Sequence, residues 1–218
     1  EARIHATNYD PRILDQPPAA IISKMTLEHV ANPHKFLADI AGSIPAGHGT
    51  KIFIQVPNCA YIFTEGLIGD LLYEHCNYFT AGSLRRAFAK ASIEACEIKT
   101  GYGGQYLLAT GTLSQSAKVD SDIATAEELE PFLAFSRDVA ANAVLWTRWI
   151  EDLKADGRSL AFWGGASKAV GFLSITGTSG QFDYAIDINP RKAGTYLPGT
   201  PIITVTPGTA AQSPITDI

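Results

Sequence analysis

Tyr73-Glu74-His75 sets a histidine beside a carboxylate. Imidazole titrates near neutral pH and a neighbouring charge tunes it, so such a pair suits general-base work. Adjacent residues face one cleft only in a loop, because in a strand they point to opposite faces. The same residues also suit a loop histidine that bonds to the backbone and holds the loop, and residue types alone favour that plainer role. Leu27-Glu28-His29 repeats the pairing just past a short apolar run, Ala19 to Ser23. Ligands of open parallel sheets sit beyond the carboxyl ends of strands, which places Glu28 and His29 to line a cleft. Equally, Glu28 suits the start of a helix, where the dipole favours negative charge.

Gly164-Gly165-Ala166-Ser167-Lys168 is a different kind of signal. A glycine turn that opens a helix presents unpaired N–H groups and a positive dipole end to an anion. Ser167 adds a hydroxyl and Lys168 a charge. Asp187 follows at about the 20-residue spacing at which an acidic side chain meets a ribose. The full G-x-G-x-x-G fingerprint is absent, and a tight strand–helix turn with a surface lysine is the structural alternative. Asp187-Ile188-Asn189-Pro190-Arg191-Lys192 either closes over a phosphate, with Asn189 and Lys192 as contacts, or forms a solvated loop.

The elements that must hold these residues read as α/β. Ala2 to Thr7 alternates like a short strand, and Asp10 to Pro18 is a turn. Ala19 to Ser23 and Lys51 to Val56 are buried strands. Between them Asn32-Pro33 opens a helix, asparagine suiting the cap and proline the first turn. Cys59 to Phe79 is loop-like or irregularly helical. Ser83 caps a helix to about Ala91. Strands near Cys96 to Thr100 and Gln105 to Thr110 form an antiparallel hairpin around Gly101-Tyr102-Gly103-Gly104. Ser114 to Ser121 is a polar linker. A long helix, about Ala126 to Asp156, carries Phe132, Phe135, Val139, Ala143, Trp146, Ile150 and Leu153 on one stripe, read as packing surface. Beyond it, Leu160 to Trp163, a helix over Ala169 to Ile175, and strands at Phe182 to Ile188 and Ile202 to Val205 make a βαβ unit.

The chain has 218 residues, 46% of them hydrophobic, and a formal net charge of -5. That supports sizeable cores and argues against nucleic acid, whose phosphates call for clustered lysine and arginine. No apolar run approaches the roughly 18 residues of a membrane span, and no signal peptide is visible. Cys59, Cys76 and Cys96 lack metal-type spacing and read as reduced, partly buried thiols of a cytoplasmic protein.

Together these stretches resemble the C-methyltransferases that alkylate nucleotide-linked keto-sugars. The match runs through Leu27-Glu28-His29 with Asn32-Pro33 and Phe36-Leu37, then Gln55-Val56-Pro57-Asn58, Tyr73-Glu74-His75, Tyr78-Phe79, Ser83-Leu84 and Tyr102-Gly103-Gly104-Gln105. It continues in Trp163-Gly164, Lys168, Asp187-Ile188-Asn189-Pro190, Lys192 and Tyr196-Leu197-Pro198-Gly199-Thr200. Residue Ala169 departs from the family's further glycine, and Leu72 from its common tyrosine. The resemblance implies an S-adenosylmethionine-dependent enzyme built from a zinc-binding N-terminal segment, a class I methyltransferase domain and a C-terminal Rossmann-like domain. It implies that His75 is the base, supported by Glu74 and Tyr73. Residues Glu28 and His29 would lie on the cofactor side, and Ser167, Lys168, Asp187, Asn189 and Lys192 would hold the nucleotide. The expected fold class is α/β. The second half of a class I methyltransferase sheet fills residues 1–115, a linker and long connecting helix residues 116–157, and a truncated Rossmann-like domain residues 158–218. The family's Gly-rich donor loop and zinc cysteines are expected upstream, so zinc belongs to that segment, no metal site is expected here, and this chain alone is not expected to bind the donor tightly. The contrasting reading is a non-catalytic nucleotide-binding module. An NAD-dependent oxidoreductase would need the third glycine and a hydride-transfer constellation.

Overall fold

The computed structural model describes residues 16–114 and 124–218. The expected strand at Ala2 to Thr7, and most of the expected 10–18 turn and 114–121 linker, lie outside the described residues. The chain divides into two compact units. One holds the described residues through Tyr61 together with Cys76–Leu129; the other holds Ile62–His75 and Glu130–Ile218.

The first unit is built on β1 (Ala20–Lys24), α1 (Pro33–Gly42), β2 (Lys51–Pro57), α3 (Ala81–Lys90), β3 (Ile93–Gly101) and β4 (Tyr106–Leu113). A helix α2 (Cys59–Thr64) follows β2 and crosses the division between units. The strand order is β1-β2-β4-β3. Strands β1 and β2 are parallel, with Ile22 opposite Phe53, whereas β4 runs antiparallel to both β2 and β3. The expected hairpin is therefore present, and its second strand inserts beside β2. Leu37, Ile40, Ile54, Leu84, Phe88 and Ile93 are among the side chains that fill one continuous core. Gly111 of β4 is required there, since a Cβ would fall 2.7 Å from Ile93 Cγ2 and 2.9 Å from the Glu94 carbonyl. The Asn32 side chain caps α1 by accepting from the Lys35 N–H at 2.9 Å, as its position predicts. Helix α3 starts earlier than Ser83: Thr80 is the cap, and Ser83 closes a reciprocal capping box with it.

In the second unit β5 (Ala161–Trp163), β6 (Tyr184–Ile186) and β7 (Ile203–Val205) form an all-parallel sheet in that order. Helix α5 (Ser167–Thr176) connects β5 to β6, and a short α6 (Pro207–Ala210) follows β7. The strands have 3 residues each, shorter than the apolar runs suggest. Small clusters cover the sheet: Ala169, Leu173, Ala185, Leu197 and Ile202 in one, Ala161, Ile186 and Ala210 in the other. At the outer edge of β5 the Ala161 N–H donates to the Asp217 carbonyl at 3.0 Å.

Helix α4 (Ala126–Ala155) runs for 30 residues. Its start carries a capping box in which Thr125 and Glu128 bond each other's backbone N–H at 3.1–3.2 Å. The apolar stripe, read as packing surface, is buried only in part. Only Phe135 and Ile150 are buried, while Phe132, Trp146 and the neighbouring Trp149 remain about half exposed. Trp146 packs edge to face on both Trp149 and Phe172. Among the described residues no helix is long and apolar enough to cross a membrane. Of the three free thiols only Cys59 is buried, Cys76 and Cys96 being exposed, which corrects the expectation of partial burial for all. Burial pushes the Cys59 thiol up to about 12, so it is inert as a nucleophile near neutral pH.

Candidate functional site

In the first unit the polar candidates follow the carboxyl end of β1. Met25 takes a positive φ of 50° and donates its N–H to the Gln55 carbonyl at 3.0 Å. That kink ends the strand and turns the chain into a 3-10 turn at Leu27–His29. Leu27, fully buried, anchors the turn in the core. Asn77 ties it from the other side, its N–H donating to the Glu28 carbonyl at 3.1 Å and its Nδ2 to the Val30 carbonyl at 2.7 Å. The Glu28 side chain is only 1% exposed, and neither carboxyl oxygen has a hydrogen-bond partner of good geometry. The His29 ring lies 3.9 Å from Oε1. Burial pushes the Glu28 carboxyl up, and the nearby backbone N–H groups and His29 offset that only in part.

In the second unit the candidates gather around the N-terminus of α5. Gly164 takes a φ of 100°, a region other residues rarely adopt, and its N–H donates to the Ile186 carbonyl at 2.7 Å. The turn then delivers Ser167 as the first residue of α5, two positions ahead of the expected helix start. The Ser167 hydroxyl donates to Glu74 Oε1 at 2.9 Å. Lys168 points elsewhere, its Nζ lying 2.7 Å from Asp70 Oδ1. The segment that carries these acids is short and tightly turned, with a 3-10 turn at Ile68–Asp70 and the His75 N–H donating to the Leu72 carbonyl at 3.1 Å. Its own N–H, then the Ser167 hydroxyl, Tyr73 and the neighbouring His75 keep the Glu74 carboxyl below the usual carboxylate range.

Past β6, Asp187 accepts from Lys192 Nζ at 2.7 Å and from the Asn189 N–H at 2.8 Å. Lys192 Nζ also donates to the Gly165 carbonyl at 2.9 Å, which fastens the two carboxyl-end loops together. These contacts, the lysine foremost, hold the Asp187 carboxyl down. The Asn189 side chain is committed to capping the 3-10 turn at Pro190–Lys192, accepting from the Arg191 N–H at 3.1 Å. A cleft of about 310 Å³ opens here, lined by Tyr73, Gly165, Ser167, Lys192, Tyr196 and Thr204 among others.

The structure thus brings Tyr73, Ser167 and Lys192 to one cleft and joins Glu74 to Ser167. It keeps Lys168, Asp187 and Asn189 off that lining, each engaged by a neighbour within the protein. Glu28 and His29 belong to the first unit, whereas Glu74 and His75 belong to the second. Asp70 and Thr204 escaped the sequence reading. Asp70 sits in a segment without periodicity, and Thr204 looks like any β-branched strand residue.

Comparison with known proteins gives these groups a context. Residues 112–216 match the family model described as C-methyltransferase C-terminal domain. The chain is also 23% identical over 204 residues to C-methyltransferase NovU of Streptomyces niveus, an alignment covering 88% of this chain and 48% of that protein. The chain therefore spans about half the length of the curated relative it matches. Residues 112–216 are therefore similar to the C-methyltransferase C-terminal domain, and most of the chain is similar to about half of a C-methyltransferase.

Proposed function

We propose that the protein carrying this chain is an S-adenosylmethionine-dependent C-methyltransferase that acts on a nucleotide-linked keto-sugar, with His75 as its general base. The observation that carries the reading is the shared cleft. Tyr73, which leads directly into Glu74-His75, lines the same space as the glycine turn and Lys192. A substrate with an anionic end and a reactive ketone needs both kinds of group.

A C–H bond beside a ketone is acidified because the enolate places charge on oxygen. His75 takes that proton, and the C–H electrons pass into the enolate. The enolate carbon would then take the methyl group that a bound donor supplies, with the carbon–sulfur electron pair left on sulfur. Glu74, held ionised, favours the protonated imidazole that results. The nucleotide phosphates belong beside the backbone of Gly165 to Ser167, where an N-terminal helix dipole and the Lys192 charge favour an anion. On the donor side we assign Glu28 and His29. A buried carboxyl without a good donor, at the carboxyl end of a strand, suits a ligand that brings hydroxyl groups or positive charge. When bound, S-adenosylmethionine supplies the electrophilic methyl group.

The test uses the intact protein, donor labelled with a deuterated methyl group, and nucleoside-diphosphate-linked keto-sugars. The reading expects a product with a new carbon–methyl bond beside the ketone. Label on oxygen or nitrogen would reject it. Tight nucleotide binding with no transfer at all would favour the non-catalytic module instead.

A further inference from the structure

The glycine turn and helix α5 look like an anion site in sequence, yet their side chains are spent on the protein itself. Ser167 Oγ holds Glu74 at 2.9 Å, and Lys168 Nζ holds Asp70 at 2.7 Å. The backbones come close as well. A Cβ on Gly171 of α5 would stand 3.3 Å from the Leu71 carbonyl, and one on Gly69 would stand 3.5 Å from the Lys168 side chain. Two glycines, a hydroxyl and an ion pair therefore fit the 69–74 segment against one face of α5, all within the second unit.

We propose that α5 is a docking platform for the segment that carries Glu74-His75, and that Ser167 is a positioning residue for that pair. The inference rests on the proposed role of His75 as base. Its physical basis is geometric. Glu74 follows a tight turn with no strand or long helix of its own, and within the segment its own N–H and the Tyr73 side chain hold its carboxylate. The first turn of α5 adds an anchor from outside the segment: a hydroxyl aimed at Oε1, at the helix end whose dipole favours negative charge. Glu74 takes the place at this helix end that a ligand phosphate would otherwise compete for. The phosphate is left with the cleft side of the turn, where Gly165 and Lys192 lie. One short helix then serves two ends, substrate binding on its cleft side and orientation of the base on its side chains.

Ser167→Ala, Ser167→Thr, Gly171→Ala and Lys168→Met in the intact protein test this. A hydrogen bond to a charged group typically carries about a tenfold effect or more. Ser167→Ala should therefore lower turnover by about tenfold at an unchanged Michaelis constant for the nucleotide substrate, and Ser167→Thr should restore it. Amide hydrogen exchange over residues 67–75 should speed up in Ser167→Ala, and Glu74→Gln should add little on top because the two share one bond. Gly171→Ala improves the intrinsic helix propensity but crowds the Leu71 carbonyl. It should cut turnover without lowering the melting temperature. Lys168→Met should have the smallest effect, since that pair is largely solvent-exposed. A raised Michaelis constant with unchanged turnover in Ser167→Ala would make Ser167 a phosphate ligand and overturn the proposal. Unchanged exchange over 67–75 would overturn it too. The exchange arm needs no activity, so a protein that transfers no methyl group would defeat the proposed function while leaving the docking platform tested on its own.

Discussion

The dipeptide Glu-His occurs at 28–29 and again at 74–75, and the fold gives the two copies opposite environments. Glu28 is sealed into the first unit with no good hydrogen-bond partner, and burial pushes its carboxyl up. Glu74 sits half-buried in the second unit, receives the Ser167 hydroxyl, and is held down. Identical residue types are therefore shifted in opposite directions, because desolvation dominates one and hydrogen bonding the other. The units differ in the same way. The first spends its sequence on long strands and one apolar core. The second has 3-residue strands and is tied together by Asp187–Lys192, Asp70–Lys168 and Asp183, which accepts from Ser159 Oγ at 2.8 Å.

The largest effect expected is on the second copy. His75→Ala in the intact protein should lower turnover about 100- to 10,000-fold, with substrate affinity by calorimetry little changed. Near wild-type turnover would make His75 a structural residue and remove the contrast.

The first copy should break through the core instead. Leu27→Ala should cost about 2–5 kcal/mol of stability, measured by denaturant unfolding, because it opens a cavity under the turn that buries Glu28. A cost below about 1 kcal/mol would mean that the turn is held by Asn77 rather than by packing.

The two carboxyls should then show opposite pH dependence. A raised folded-state pKa gives stability that is present at low pH and lost as pH rises out of the carboxylate range. Glu28→Gln should therefore stabilise the protein by about 1 kcal/mol or more at neutral pH, the gain fading below about pH 4. Destabilisation at neutral pH would show that the buried carboxylate is paired. A lowered pKa works the other way, its stabilisation present above the ordinary carboxylate pKa and lost as pH falls. Glu74→Gln should accordingly cost a small amount of stability at neutral pH and nothing at pH 3 or so. Equal melting-temperature profiles for the two variants from pH 3 to 8 would refute the contrast.

Much of this architecture is legible in the sequence, and the gaps have physical causes. The Asn32-Pro33 helix start, the β3–β4 hairpin around Gly101 to Gly104 and the strand–turn–helix at Gly164 carry local signals, and the structure has each of them. The order β1-β2-β4-β3 does not follow from any local pattern, because insertion of β4 beside β2 is a long-range choice. The exposed face of α4 misleads for a related reason: periodicity shows which residues share a stripe, not what covers it. At the candidate site, residue types pointed to Glu74, His75, Ser167 and Lys168 separately. That Ser167 serves Glu74, and Lys168 serves Asp70, depends on contacts 93 and 98 positions apart in the chain, which spacing cannot reveal.

The central claim is that the Glu74-His75 pair removes a proton from carbon beside a ketone. The most direct measurement is proton exchange at that carbon. The intact protein is incubated in deuterium oxide with a nucleoside-diphosphate-linked keto-sugar and S-adenosylhomocysteine, and deuterium entering the sugar is followed by NMR. The account predicts wash-in at the carbon next to the ketone, abolished in His75→Ala and slowed about tenfold in Ser167→Ala. Wash-in at an undiminished rate in His75→Ala would contradict it.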